Sequence, residues 1–408
     1  MKCRHCGEDV TMPFIDLGDA PPSNAYLSSD LLLREEKRFP LRVLVCCNCW
    51  LVQTEDYAGA SELFSEDYAY FSSFSSSWLA HSEQYVDDMV ARFGMGGESM
   101  VVEIAANDGY LLQYFIQRGV PCYGVEPTTS TAAAAREKGI EIVESFFGQD
   151  LARKLISEGR QADLMAANNV LAHVPDINDF VSGFSLLLKP IGVATFEFPH
   201  LLKLASENQF DTVYHEHYSY LSLTAVERIF KANGLSVFDV EEIPTHGGSL
   251  RVFAQRTDHG MHSTSPNVAM MLDREAGAGI LTEEFYEAFQ SCADRVRDDF
   301  LSFLVQCRRD GKKVAAYGAA AKGNTLLNYA GVQLDLLPYV VDRNPAKQGK
   351  FLPGSHIPVL PEEHLKVDRP DYVVILPWNL RHEVMEQLEY IRQWDGKFVT
   401  AVPELLVS

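Results

Sequence analysis

The chain has 408 residues and 47% hydrophobic content, too long for one ordinary core and typical of a soluble protein of two or three domains. A formal net charge of −21 excludes a nucleic-acid partner and an anionic membrane surface, so any phosphate must be met by local amides and a few placed cations. No stretch approaches the roughly 20 apolar residues of a membrane span, and no apolar run follows Met1-Lys2-Cys3-Arg4, so a cytoplasmic protein without a signal peptide is expected.

Five of the eight cysteines fall before residue 50. Cys3-x-x-Cys6 and Cys46-x-x-Cys49 each let two thiolates reach one ion, and two such pairs complete a tetrahedral zinc site. Four sulfurs leave no open coordination position, so the zinc is expected to be structural. Cys47 is a bystander in this reading. The intervening Asp16-Leu17-Gly18-Asp19-Ala20-Pro21-Pro22 is turn-rich and predicts a loop. Residues 61–78 mix aromatic and hydroxyl side chains, Tyr70 among them, without clean periodicity; a linker and a lid over the next ligand both stay open. A helix follows from about Trp78 to Phe93.

Met100–Ile104, which carries Glu103, is a short apolar strand ending in the turn Ala105-Ala106-Asn107-Asp108-Gly109, and a helical pattern follows. Strand, tight turn and helix form the first unit of a doubly wound sheet, with ligand at the carboxyl end of the strand. The candidate contacts there are Glu103, Ala105, Asn107 and Asp108. A second strand, Cys122–Val125, ends in Glu126, where a carboxylate accepts from the two hydroxyls of a ribose. The turn lacks the full G-x-G-x-x-G of a dinucleotide site and holds no basic residue for a pyrophosphate. Asp108 brings negative charge instead, which suits a cationic nucleoside such as S-adenosylmethionine better than NAD. Val143–Phe147 reads as the third strand end, with Phe146 or Phe147 covering an adenine ring. Ala162–Ala167 leads into Asn168 and Asn169, whose amides face the ligand in this layout, and His173 shares their loop. Gly192–Pro199, Leu235–Val240 and Ser249–Ala254 complete seven strands, the last two flanking Thr245-His246-Gly247-Gly248.

Between them lies Tyr214-His215-Glu216-His217-Tyr218-Ser219-Tyr220, two imidazoles bracketing a carboxylate with three phenols in seven residues. Buried polar heads this dense each need a partner, which makes a plain core segment a poor account of them. Histidine suits proton transfer because its unperturbed pKa lies near neutrality. Residues 267–310 read as long helices, with Phe285, Phe289, Val296, Phe300 and Phe303 at helical spacing as core and connector. Lys313–Gly318 is another strand entering a turn and a helix, where amides and Lys322 could hold phosphate. Further strands end in Asp342 and in Pro377-Trp378-Asn379, and Lys397–Val402 closes this smaller sheet. Its strand-end residues are the expected contacts of a nucleotide diphosphate.

The paired cysteine knuckles, Val102–Gly109, Tyr214-His215-Glu216-His217, Thr245–Arg251 and Tyr317–Gly323 occur in the same order in a family that this chain resembles over nearly its whole length. That family is the sugar C-methyltransferases of deoxysugar biosynthesis, which act on nucleotide-linked 4-keto hexoses. The resemblance implies an α/β protein: a class I S-adenosylmethionine methyltransferase Rossmann-like domain (66–256) flanked by a small zinc-binding domain (1–65) and, after a helical connector (257–310), a Rossmann-like domain for the nucleotide sugar (311–408). It implies S-adenosylmethionine and structural zinc as cofactors and a nucleotide-linked, dTDP-type sugar as substrate. His217 is the implied base and Tyr214 the donor to an enolate oxygen. Glu216 orients groups or contacts the sugar, and His173 and Tyr70 are further sugar contacts. His246, Lys322, Asn324, Asp342 and Trp378 are the expected substrate-binding set. Many members carry glycine where this chain has Ala105, which limits how closely that backbone approaches the methionine moiety. The self-contained three-domain layout is compatible with a monomer.

Overall fold

The computed structural model describes residues 1–55, 57 and 71–408, the Phe74 side chain excepted. The Tyr70 contact and most of the expected lid or linker therefore lie outside the described residues. Three sheets organise the remainder.

In the first, β1 (Met12–Ala20), β2 (Phe39–Val45) and β3 (Val52–Thr54) pair antiparallel. The expected loop beginning at Asp16 is instead the second half of β1. Its turn signals are absorbed within the strand: Gly18 takes φ 71°, and the register with β2 shifts between Asp16 and Asp19. Such an irregularity bends an edge strand without ending it.

The central sheet contains β4 (Val101–Ile104), β5 (Cys122–Val125), β6 (Glu141–Val143), β7 (Ala162–Asn168) and β8 (Leu188–Pro199). The next strand, β9 (Ser219–Tyr220), leaves this sheet and pairs with β3, matching Val52 to Tyr220 and Gln53 to Ser219. The chain then returns through β10 (Leu235–Ile243) and β11 (Ser249–Arg256). The strand order is β10-β11-β8-β7-β4-β5-β6, with β11 antiparallel to both neighbours. The order reverses between β4 and β7, so the crevice beyond their carboxyl ends is where a ligand fits this topology. The helix Ser76–Phe93 covers one face with Tyr85, Val86 and Met89.

The third sheet holds β12 (Val314–Tyr317), β13 (Val340–Val341), β14 (Val359–Leu360), β15 (Tyr372–Ile375), β16 (Lys397–Thr400) and β17 (Leu406–Val407). All but β17 are parallel to their neighbours. The helical stretch expected as a connector is also a wall. Phe289, Ala293, Val296, Phe300, Leu304 and Cys307 line one side of the helix Phe289–Arg309. They join residues of β1, β2 and the third sheet in a single apolar cluster, and Phe289 stacks on Phe14 with ring centroids 4.4 Å apart. Burying each large side chain of this set stabilises by about 1.5–3 kcal/mol, which ties the first and third sheets together. Among the described residues no helix is long and apolar enough to cross a membrane.

Candidate active site

The four knuckle sulfurs lie within 4.8 Å of one another. Zn–S bonds of about 2.3 Å in a tetrahedron separate sulfurs by about 3.8 Å, so Cys3, Cys6, Cys46 and Cys49 fit one zinc ion with little movement. Gln53 Nε2 donates to Cys3 Sγ at 3.3 Å, a contact that suits a thiolate ligand. The knuckle is also tied to the central segment. Arg4 donates to the Thr54 carbonyl at 2.8 Å, and Thr54 Oγ1 donates to the His217 carbonyl at 3.1 Å.

The first turn of the central sheet is a tightly coiled loop, with positive φ at Ala105 (57°), Asn107 (49°) and Gly109 (74°). An L residue in that region costs about 1–2 kcal/mol, so Ala105 occupies a position shaped for glycine. Asn107 N donates to Glu126 Oε2 and Thr128 N to Glu126 Oε1, both at 2.9 Å. Burial raises the Glu126 carboxyl despite these amides. Glu103 is fully buried, and burial pushes its carboxyl well above the usual range. Asp108 pairs with Lys138 at 3.4 Å and accepts from Ser73 N at 3.3 Å. The negative charge expected from Asp108 is thus largely answered within the protein.

Across the crevice, both side-chain amides of Asn168 and Asn169 are buried with no partner among the described residues. Unmet buried amides of this kind are costly, and a polar ligand in the crevice would satisfy them. Phe147 turns inward, edge-on to Phe180 and Phe184, whereas Phe146 is 59% exposed at the rim.

Beyond this crevice four segments converge. His217 Nδ1 lies 2.8 Å from the Thr212 carbonyl, and His173 Nδ1 lies 2.8 Å from the Glu216 carbonyl. A carbonyl only accepts, so both nitrogens carry the proton. Burial holds the His217 imidazole well below its ordinary pKa, and it pulls His173 down to about 4 and His246 to about 3. All three are therefore neutral at pH 7, and His217 presents an unprotonated Nε2. The Tyr214 ring stands 3.9 Å from that of His217 and the His173 ring 4.6 Å from it. His246 sits at φ 55° on the loop between β10 and β11, against Trp78 at 5.3 Å, and its Nε2 is buried without a partner among the described residues.

The C-terminal domain forms the other wall. Lys322 lies over the Trp378 ring at 4.7 Å and donates to Asn379 Oδ1 at 3.0 Å. Burial lowers the Lys322 ammonium to about 8, against the attraction of Asp211. Asp211, which accepts from Trp378 Nε1 at 2.7 Å, is raised by burial to about 7. At Gly247 a Cβ would come within 2.4 Å of Trp378, so the glycine permits the contact between the histidine loop and the C-terminal domain. Thr325 donates to the Val213 carbonyl at 2.8 Å, tying the helix that bears Lys322 to the segment that bears His217.

The structure thus gathers Tyr214, His217, His173, His246, Lys322 and Trp378. It directs two expected substrate contacts elsewhere: Asn324 Nδ2 donates to the Ser23 carbonyl at 2.7 Å, and Asp342 accepts from Ala319 N and Asn344 N at 2.8 Å. Sequence reasoning missed Asp211, Trp78, and the buried group in which Glu197 accepts from Arg251 at 2.7 Å and pairs with His81 at 2.8 Å. Of these only Arg251 stands in a motif, as the last residue of Thr245–Arg251; the fold brings the others together.

Three family models match the chain in order: a zinc binding domain over residues 3–64, a methyltransferase domain over 78–240, and a C-methyltransferase C-terminal domain over 244–403. C-methyltransferase NovU from Streptomyces niveus is 35% identical over 403 residues, covering 99% of this chain and 96% of its own length. Among solved structures, magnesium protoporphyrin IX methyltransferase from Synechocystis PCC 6803 with bound SAH covers 44% of this chain and 83% of its own, at 19% identity and a TM-score of 0.35. The Burkholderia thailandensis 1,6-didemethyltoxoflavin-N1-methyltransferase covers 52% and 97%, at 16% identity and a TM-score of 0.37. The strand order, the four-cysteine site and a relative matched from end to end agree: this chain belongs to the C-methyltransferases, zinc-binding enzymes whose methyl donor is S-adenosylmethionine.

Proposed function

We propose that the enzyme methylates carbon beside the ketone of a nucleotide-linked 4-keto deoxyhexose, a dTDP sugar in the first instance. C-3 is favoured, and C-5, the other carbon flanking the ketone, is the second choice. One observation carries this reading: a buried, neutral His217 with Nδ1 engaged by the Thr212 carbonyl and Nε2 free to accept a proton. Carbon is not nucleophilic until a proton leaves, and a neighbouring ketone makes that loss feasible. General-base assistance is worth about 10²–10⁴-fold.

In this mechanism His217 Nε2 takes the proton as the electron pair moves onto the ketone oxygen. The low basicity of a buried imidazole is offset because its new positive charge appears beside a new negative one. Tyr214 donates to the enolate oxygen, and His173 and Glu216 contact the sugar hydroxyls, with Tyr70 a further candidate. S-adenosylmethionine supplies the electrophilic methyl group. Asn168 and Asn169, Glu126, Asn107 and the backbone at Ala105 would hold it, with Asp108, Glu103 and Phe146 as further candidates. Lys322 and the first amides of its helix meet the diphosphate, flanked by Trp378 and His246. An added phosphate charge would draw Lys322 fully into its ammonium form.

The test is product analysis by mass spectrometry and NMR with a panel of 4-keto nucleotide sugars. Addition of one carbon-bound methyl at C-3 or C-5 is expected. An oxygen- or nitrogen-bound methyl, or no turnover with any 4-keto sugar, would overturn the proposal.

A further inference from the structure

The loop between β1 and β2 leaves the first sheet and packs against the C-terminal domain. Pro21 and Pro22 stiffen its start by fixing φ and removing two donors. Ser23 O then accepts from Asn324 Nδ2 at 2.7 Å, and the Tyr26 hydroxyl donates to the Ala319 carbonyl at 2.5 Å. Leu27 and Phe351 exchange backbone bonds at 2.9 and 2.8 Å, and Glu36 accepts from Gly354 N at 3.0 Å. By these contacts residues 23–36 are fastened to the C-terminal domain at several points, including the turn that follows β12. Between the anchors one side chain points the other way: Asn24 Nδ2 donates to Glu216 Oε1 at 3.1 Å.

Glu216 is 1% exposed, and its other oxygen, Oε2, is buried with no hydrogen-bond partner among the described residues. A carboxylate gripped by one oxygen has its second oxygen aimed. Its neighbours in sequence are also held: the Glu216 carbonyl accepts from His173, and the His217 carbonyl accepts from Thr54. The backbone just after the Glu216 side chain is therefore fixed, and the Asn24 amide is the side-chain contact that holds its carboxylate.

We infer that Asn24 is the positioning residue for Glu216, and that the loop from Pro21 to Leu27 braces the sugar-contacting carboxylate against the C-terminal domain. The inference rests on the role given to Glu216 in the proposed function. Asn24 touches no reacting atom; by holding Oε1 it leaves the buried, unpartnered Oε2 as the oxygen open to a sugar hydroxyl. Burial raises the Glu216 carboxyl and the Asn24 hydrogen bond works against that rise, so Asn24 supports the ionised form as well as its placement, and a misplaced carboxylate loses much of its effect.

The experiment is a double-mutant cycle on the full-length protein, with S-adenosylmethionine titration as the check that the central domain is intact. Asn24→Ala should leave cofactor affinity unchanged and lower kcat for methyl transfer about 10- to 100-fold. In a Glu216→Gln background the same change should cost less than about 2-fold, because Asn24 acts only through Glu216. Should Asn24→Ala fail to fold, Asn24→Asp keeps the shape, removes the donor and carries the same comparison. A slow Glu216→Gln enzyme beside Asn24 variants with the wild-type rate overturns the inference alone. Equal losses in both backgrounds also overturn it, since they report general damage to the loop. A wild-type rate for Glu216→Gln by itself sinks the role proposed for that carboxylate, and the inference with it.

Discussion

Glu275 offers the sharpest perturbation of the frame that holds the crevice. It lies on the helix Pro266–Ala278, within the stretch expected only as connector, and is 0% exposed. Oε1 accepts from His200 Nε2 and Leu223 N at 2.7 Å, and Oε2 accepts from Thr224 N at 2.8 Å and Thr224 Oγ1 at 2.6 Å. His200 directly follows β8, and Leu223 and Thr224 open the helix Leu223–Ala232. One carboxylate therefore closes both ends of the segment that carries Tyr214 to Tyr220. Burial alone would raise its pKa, but the donors from His200 and Thr224 prevail and hold it below the ordinary value.

Glu275→Ala leaves those donors buried and unmet. Breaking a buried pair costs about 3–5 kcal/mol, and Glu275→Gln, which sets an amide donor against Thr224 N, about 2–3 kcal/mol. At a slope of about 3 kcal/mol per molar urea, the alanine variant should unfold about 1–1.7 M earlier by tryptophan fluorescence. The same linkage has a sign in pH: a depressed carboxylate stabilises fully above its unfolded pKa near 4.5 and loses that contribution as pH falls through its folded value. The difference between wild type and Glu275→Gln should therefore shrink below pH 4.5. An alanine variant with a midpoint within about 0.2 M of wild type would refute the reasoning.

Other outcomes follow from the same geometry. Cys46→Ser should drop bound zinc from one ion per chain, read by elemental analysis, and lower methyl transfer as well, because the knuckle supports β3 and β3 supports the His217 segment through β9. Because His217 is buried and neutral, its protonation waits until the pH falls well below 6.5; kcat/KM should be flat from pH 6.5 to 8 on its account, and an acid limb centred at or above 6.5 that persists in Asp211→Asn, which removes the other group titrating near 7, would contradict the assignment. Lys322→Met should raise KM for the nucleotide sugar about 10- to 100-fold at unchanged S-adenosylmethionine affinity by calorimetry, and an unchanged KM would remove Lys322 from the diphosphate site.

The parts legible in the sequence were those encoded locally. Paired CxxC spacings, apolar runs ending in small-residue turns, and the period of Phe289, Val296 and Phe300 each depend on neighbours in the chain. What escaped depended on distant partners. Nothing in Ser219-Tyr220 says that it pairs with Val52-Gln53 rather than with the central sheet. Gly18 reads as a loop residue because a bulge and a turn use the same backbone freedom. Asn24 and Glu275 stand in ordinary surroundings, and only the folded chain brings them to Glu216 and His200. Conversely, Asp342 follows a strand end and Asn324 lies in the first turn of a helix that follows one, positions that in many α/β proteins face a ligand, yet here the turn around Ala319 engages Asp342 and Ser23 engages Asn324.

The most direct measurement is deuterium uptake into the sugar in heavy water, with S-adenosylhomocysteine in place of the methyl donor. Wild type should wash deuterium into the carbon beside the ketone, while folded His217→Ala, still binding the cofactor, should do so at least about 100-fold more slowly. Equal uptake by both proteins would contradict the assignment of His217 as the base.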